Sequence, residues 1–97
     1  EELIPDEFAL HQNFPNPFNP TTNIRYDLPS EEIVNIIIFD VMGRNIRSLI
    51  NEKKSAGYHR IQWDAKNDFG EPVSAGMYIY IIHAGDNSSV KKMVLLK

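Results

Sequence analysis

Apolar residues in this chain fall at every second position or in short runs, and no long stretch repeats them at helical spacing. Strand side chains alternate between two faces, so this pattern predicts strands with one side buried. Ile24, Tyr26 and Leu28 alternate with Arg25 and Asp27, the mark of a half-buried strand. Ile33 to Phe39 is nearly all apolar and β-branched, broken by Asn35, and reads as a central strand or one covered on both faces. Asp40-Val41-Met42-Gly43-Arg44 suits a type I turn with Gly43 at positive φ, after which Ile46 to Ile50 returns as a strand. Asn51 to Ala56 is polar and reads as a loop. In Gly57 to Asp64, His59, Ile61 and Trp63 share one face, and Tyr58, Arg60 and Gln62 the other. Asn67, Asp68, Gly70 and Pro72 mark a turn, Met77 to His83 a strand, Ala84 to Ser88 a turn, and Val90 to Leu96 a closing strand.

The leading stretch Phe8 to Pro20 carries three prolines, which lack backbone donors, so it cannot be a central strand. It reads as an edge segment followed by an extended, turn-rich stretch pinned to the core by Phe14 and Phe18. Pro29-Ser30-Glu31-Glu32 suits one helical turn capped by Ser30. Turn signals recur roughly every eight to twelve residues, which predicts an all-β, immunoglobulin-like antiparallel β-sandwich of about seven strands. Residues 1–20 form an N-terminal edge segment packed on the sandwich, and residues 21–97 form the sandwich itself, within a single domain. The core falls to Ile24, Tyr26, Ile36, Ile38, Ile61, Trp63, Tyr78 and Tyr80, with Leu28 and Ile82 beside them.

At 97 residues the chain supports one two-layer core and little room for a deep substrate cleft. The formal net charge of −3 and the scattered basic residues do not suit a nucleic-acid partner. With no cysteine there are no disulfides and no thiolate chemistry. No window approaches the about 18 apolar residues of a membrane helix. The chain opens Glu1-Glu2, with no signal-peptide pattern and no start methionine, as expected of a domain from a longer polypeptide.

Motifs that carry chemistry are few. In Asp64 to Gly70, Lys66 stands where a calcium loop needs an oxygen ligand, so a hairpin turn is expected there and no metal. His11, His59 and His83 lie on separate elements, which does not suit a zinc site. Trp63, Tyr78 and Tyr80 fall at inward register and read as core, which leaves Phe18, Tyr58 and Phe69 as the aromatics available to a sugar platform. Nothing here resembles a nucleophile elbow or a phosphate loop, so neither catalysis nor a cofactor is expected.

The stretch QNFPNPFNPTTNIRYDLP, Gln12 to Pro29, resembles the opening of the type A C-terminal sorting domain of the bacterial type IX secretion system. The resemblance continues in order through VNIIIFDVMGRNI (Val34 to Ile46), AGYHRIQWDAKNDFGEPVSAGMYIYII (Ala56 to Ile82) and KKMVLLK (Lys91 to Lys97). The core pattern is also similar to the immunoglobulin-like module of flagellar hook-capping proteins. The sorting resemblance implies a domain at the C-terminal end of a larger cargo protein. The secretion machinery of the outer membrane recognises such a domain, and the cargo is exported through the periplasm to the cell surface or the extracellular space.

On that reading Lys91, Lys92, Met93, Val94, Leu95, Leu96 and Lys97 are the recognition strand, read by a partner through an edge. Pro15, Asn16, Pro17 and Phe18 are either a docking edge or a rigid segment that blunts strand-on-strand association. Two alternatives use the same fold: a passive spacer or interaction module on a surface enzyme, and a carbohydrate-binding sandwich with aromatics in a planar row. The sheet edges leave a homodimer open.

Overall fold

The computed structural model describes residues 3–96, so Lys97 lies outside the described residues. Seven strands form: β1 (Ala9–Leu10), β2 (Thr22–Leu28), β3 (Glu32–Asp40), β4 (Asn45–Lys54), β5 (Gly57–Trp63), β6 (Gly76–Ala84) and β7 (Asn87–Leu95). They make two antiparallel sheets packed as a sandwich, one ordered β1-β2-β5 and the other β4-β3-β6-β7.

Alternation decides what faces inward. Ile24, Tyr26 and Leu28 of β2 and Trp63 of β5 are buried, and so are Val34, Ile36 and Ile38 of β3 and Tyr78, Tyr80 and Ile82 of β6. Ile61 packs against this cluster but is only partly buried, because β5 is the outermost strand of its sheet. Trp63 organises one end: Phe18 lies tilted against it at 5.8 Å and Tyr78 edge-on at 5.4 Å. Such pairs contribute about 0.5–1.5 kcal/mol each beyond the area they bury. The indole N–H is satisfied by the Lys66 carbonyl at 2.9 Å.

Several local expectations give way to pairing. Residues 51–54 are strand, not loop, because each finds a partner on β3, from Asn35↔Asn51 to Glu32↔Lys54. An exposed edge tolerates the polar sequence that suggested a loop. Pro29 and Ser30 form a bend and not a helical turn, and the Ser30 hydroxyl donates to the Glu32 carboxylate at 3.0 Å. Phe14 does not pin the leading segment: it is 78% exposed. It bridges Asn23, which lies on the outward register of β2, and the shared parity turns the ring to solvent. β3 is central and apolar on both sides, yet only one side is covered, and Ile33 remains 62% exposed.

Two connections share one design. In Asp40–Arg44 the Asp40 Oδ1 accepts the N–H groups of Met42 (2.9 Å) and Arg44 (3.0 Å), and the Gly43 N–H donates to the Asp40 carbonyl. In Asn67–Glu71 the Asn67 Oδ1 accepts from Phe69 (2.9 Å) and Glu71 (3.0 Å), and the Gly70 N–H donates to the Asn67 carbonyl. The fourth residue of each loop has positive φ, 84° at Gly43 and 81° at Gly70, which is why both are glycine.

Candidate functional site

β7 ends one edge of the four-stranded sheet, and its side chains divide cleanly between two roles. Met93 and Leu95 are buried at 0% and 1% exposure and belong to the core. Lys91 is half-buried on the same inward register. Val90 (57% exposed), Lys92, Val94 and Leu96 (51% exposed) point outward. Alternation thus splits the seven-residue recognition stretch of the sequence reading into anchors and presented residues.

The backbone edge of β7 is already occupied. The Phe18 N–H donates to the Val94 carbonyl at 3.0 Å, and the Leu96 N–H donates to the Phe18 carbonyl at 2.8 Å. Asn16 Oδ1 accepts the Val94 N–H at 2.9 Å, and Gln12 Nε2 donates to the Lys92 carbonyl at 2.7 Å. The proline-rich segment is therefore a clamp on the strand that the sequence reading left free for a partner. Its X-Pro bonds at Phe14-Pro15, Asn16-Pro17 and Asn19-Pro20 are cis. Of the docking-edge residues, Phe18 is buried at 1% exposure, while Pro15, Asn16 and Pro17 are exposed.

A buried polar network holds the clamp. Asn13 (2% exposed) donates through Nδ2 to Thr22 Oγ1 at 2.9 Å, and Thr22 (0% exposed) donates to the Pro15 carbonyl at 2.8 Å. The Tyr80 hydroxyl accepts the Asn13 N–H at 2.8 Å and donates to the His11 carbonyl at 2.8 Å, which ties β6 to the segment across the core. Burial pushes the Tyr80 phenol up to about 12, against a smaller opposing effect of the Asn13 N–H. Sequence reasoning placed Tyr80 in the core but missed this role, and it missed Gln12, Asn13 and Thr22. The available signal was the density of amides and hydroxyls among prolines, which need acceptors and donors supplied from outside a ladder.

The two outer faces differ in chemistry. On the four-stranded sheet Ile33, Ile37 and Phe39 of β3, Met77, Ile79 and Ile81 of β6, and Val90, Val94 and Leu96 of β7 share the outward register. The apolar stretch is bounded by polar residues: Lys92 and Ser88 on β7, His83 on β6, Ser48, Asn51 and Lys53 on β4, and Asn35 on β3, whose buried Oδ1 has no hydrogen-bond partner among the described residues. The outer face of the three-stranded sheet instead carries Asn23, Arg25 and Asp27 on β2, with Tyr58, Arg60 and Gln62 on β5.

The remaining sequence candidates serve structure. Asp68 sits on the edge of β4, where its N–H donates to the Ile46 carbonyl (3.0 Å) and its carboxylate accepts the Ser48 N–H (2.9 Å). Among the described residues no group of three or more His, Cys, Asp or Glu could hold a metal ion. His11 bonds Asp27 at 2.8 Å, and His59 stacks on Tyr26 at 5.2 Å while bonding the Ser55 carbonyl at 2.8 Å. The Arg44 N–H and guanidinium hold the Asp40 carboxyl below its ordinary value, so its loop survives into the acid range and loosens as pH falls through that lowered value. Tyr58 and Phe69 are exposed, but Tyr58 lies at the start of β5 and Phe69 in the loop beyond its other end, and Phe18 is buried, so the three do not form the row a sugar platform requires. No helix among the described residues is long and apolar enough to cross a membrane.

Fold and surface define a small β-sandwich that presents faces and edges for recognition. The family of secretion system C-terminal sorting domains matches residues 12–96, and the chain belongs to it. Among solved structures it is similar to part of latent PorU from Porphyromonas gingivalis, crystallised as a dimer. The TM-score is 0.72 at 24% identity, covering 97% of this chain and 10% of that one. It is also similar to part of PorZ, a surface component of the type IX secretion system of Porphyromonas gingivalis, with a TM-score of 0.60 at 17% identity. That match covers 95% of this chain and 12% of PorZ, so the chain spans about a tenth of each structure it resembles. Among curated proteins none matches the chain. The chain is a type IX secretion sorting domain that directs secretion of its cargo to the cell surface or outside; the domain itself is not catalytic.

Proposed function

We propose that the secretion machinery of the outer membrane reads this domain through the outward side of β7 and the apolar sheet face that continues from it, after the cargo has crossed the periplasm. The observation that carries this reading is continuity. Val90 and Val94 of β7 lie directly beside Ile81 and Met77 of β6, and Ile81 and Ile79 lie beside Ile37 and Phe39 of β3. An exposed apolar face of this kind marks a surface that another protein covers. Lys92, on the same face, supplies a charge at its rim, where charges steer encounter. Met93 and Leu95 act from below by fixing the strand to the core. The cargo is a larger protein to which the domain is covalently joined.

Deleting Lys91 to Lys97 is a poor test, because it removes two core residues together with the presented ones. The cleaner variant changes Val90, Val94 and Leu96 to threonine and leaves Met93 and Leu95 in place. Fused to a reporter that carries a signal peptide, in a bacterium with a working type IX system, it should leave the reporter in the periplasm. The purified domain should melt within a few degrees of the parent, since exposed changes rarely exceed about 0.5 kcal/mol. Normal export of that variant would overturn the proposal.

A further inference from the structure

The three-stranded sheet ends at β5, and among the described residues no strand or bridge pairs with the outer side of that strand. The Arg25 carbonyl accepts the His11 N–H at 2.9 Å, so the polar backbone groups of Arg25 face β1. Arg25 and Arg60 are therefore a non-hydrogen-bonded antiparallel pair, the closer of the two kinds, with Cβ atoms about 4.5–5.5 Å apart. The same parity turns the N–H and C=O groups of Tyr58, Arg60 and Gln62 away from the sheet.

Like charges directly opposite each other destabilise a ladder. Neither guanidinium has a carboxylate within 4.0 Å among the described residues; Arg44 and Arg47 do, and the nearby Asp27 is engaged by His11. A depression lined by Phe14, Asn23, Arg25 and Arg60 lies on one side of the pair, and one lined by Leu3, Ser55, Tyr58 and His59 lies beyond its far end.

We infer that the β5 edge binds an extended acidic peptide segment of another protein, added as a fourth strand to this sheet. An added residue opposite Arg60 exchanges both backbone hydrogen bonds with it and projects its side chain onto the outer face. A carboxylate there accepts from Arg60 and, one strand further, from Arg25, which relieves the like-charge contact. Residues two positions away lie beside Tyr58 and Gln62, so an apolar side chain covers the exposed Tyr58 ring. The segment recognised is thus acidic at its centre and apolar at one flank. This inference stands apart from the sorting surface, which lies on the other sheet.

The test uses the whole chain and a labelled nine-residue peptide with glutamate at its centre, valine two residues to either side and threonine elsewhere, followed by fluorescence anisotropy and amide NMR. Binding should weaken with added salt, and the amides of Tyr58, Arg60 and Gln62 should gain exchange protection. Arg25→Glu with Arg60→Glu should weaken binding at least about tenfold, the scale of losing one charge-assisted hydrogen bond. A peptide N-methylated at alternate residues keeps its carboxylates but cannot pair as a strand, and it should not bind. Equal binding of the N-methylated peptide, or of the peptide with lysine at its centre, overturns the inference. So does inorganic phosphate or polygalacturonate engaging both arginines while the peptide leaves the β5 amides unchanged.

Discussion

β7 and β5 each end a sheet, and they manage an unpaired edge in opposite ways. Along β7 the backbone groups of Lys92, Val94 and Leu96 are met by the chain's own Gln12 to Phe18, anchored by a buried ring and a buried amide. Along β5 no strand or bridge among the described residues pairs with the outer edge, and its protection is charge: Arg60 faces Arg25 across the ladder. Natural edges are commonly covered or charged to block unwanted strand pairing. A covered edge resists any partner until the cover moves, whereas a charged edge excludes like charges and admits the opposite one. The strand proposed to present the sorting surface is thus one whose backbone edge the fold itself closes.

The contrast breaks first at Phe18. Phe18→Ala empties the contact with Trp63 and should cost about 3–5 kcal/mol, read by urea unfolding. It should also strip exchange protection from the amides of Val94 and Leu96 and leave β5 unaffected. If those amides stay protected, the clamp does not depend on its ring.

Tyr80→Phe comes next. It leaves the Asn13 N–H buried without its acceptor, at about 1–3 kcal/mol. Because burial raises the phenol from 10.0 to about 12, the stability tied to the neutral hydroxyl is fully present below pH 10 and is lost as pH rises towards 12. Melting curves from pH 9 upward should show that loss in the parent and a shallower one in the variant. Equal slopes would remove Tyr80 from the clamp.

Asn16→Ala removes the acceptor of one exposed N–H and should cost about 0.5–1.5 kcal/mol, because water can replace it. Arg60→Glu sharpens the other side of the comparison. It should stabilise the domain by about 0.2–1 kcal/mol, since a like-charge pair becomes an opposite one. A loss of stability there would mean that Arg60 makes a contact that outweighs the repulsion from Arg25.

Much of the architecture was legible from periodicity. Ile24, Tyr26 and Leu28, or Tyr78, Tyr80 and Ile82, announce their buried face, because a period of two has only two phases. Residues 51–54 were misread because their polar character describes their exposure and not their pairing. Phe14 was misread because its orientation depends on the bridge to Asn23, a register that no local pattern encodes. The surface was half legible. The resemblance singled out Lys91 to Lys97, and alternation within it separates Met93 and Leu95 from Lys92, Val94 and Leu96. The clamp was not legible, since Gln12 and Lys92, or Asn16 and Val94, are 80 and 78 residues apart.

By itself, then, the sequence determined the fold class, most of the strands, the composition of the core and the family, because these rest on alternation and on an ordered set of local motifs. The tertiary structure alone decided which edges are closed, which apolar face stays uncovered and which arginines meet. Strand order and register bring together residues from distant parts of the chain, and those long-range pairings are set by the packing of the whole core rather than by any one segment.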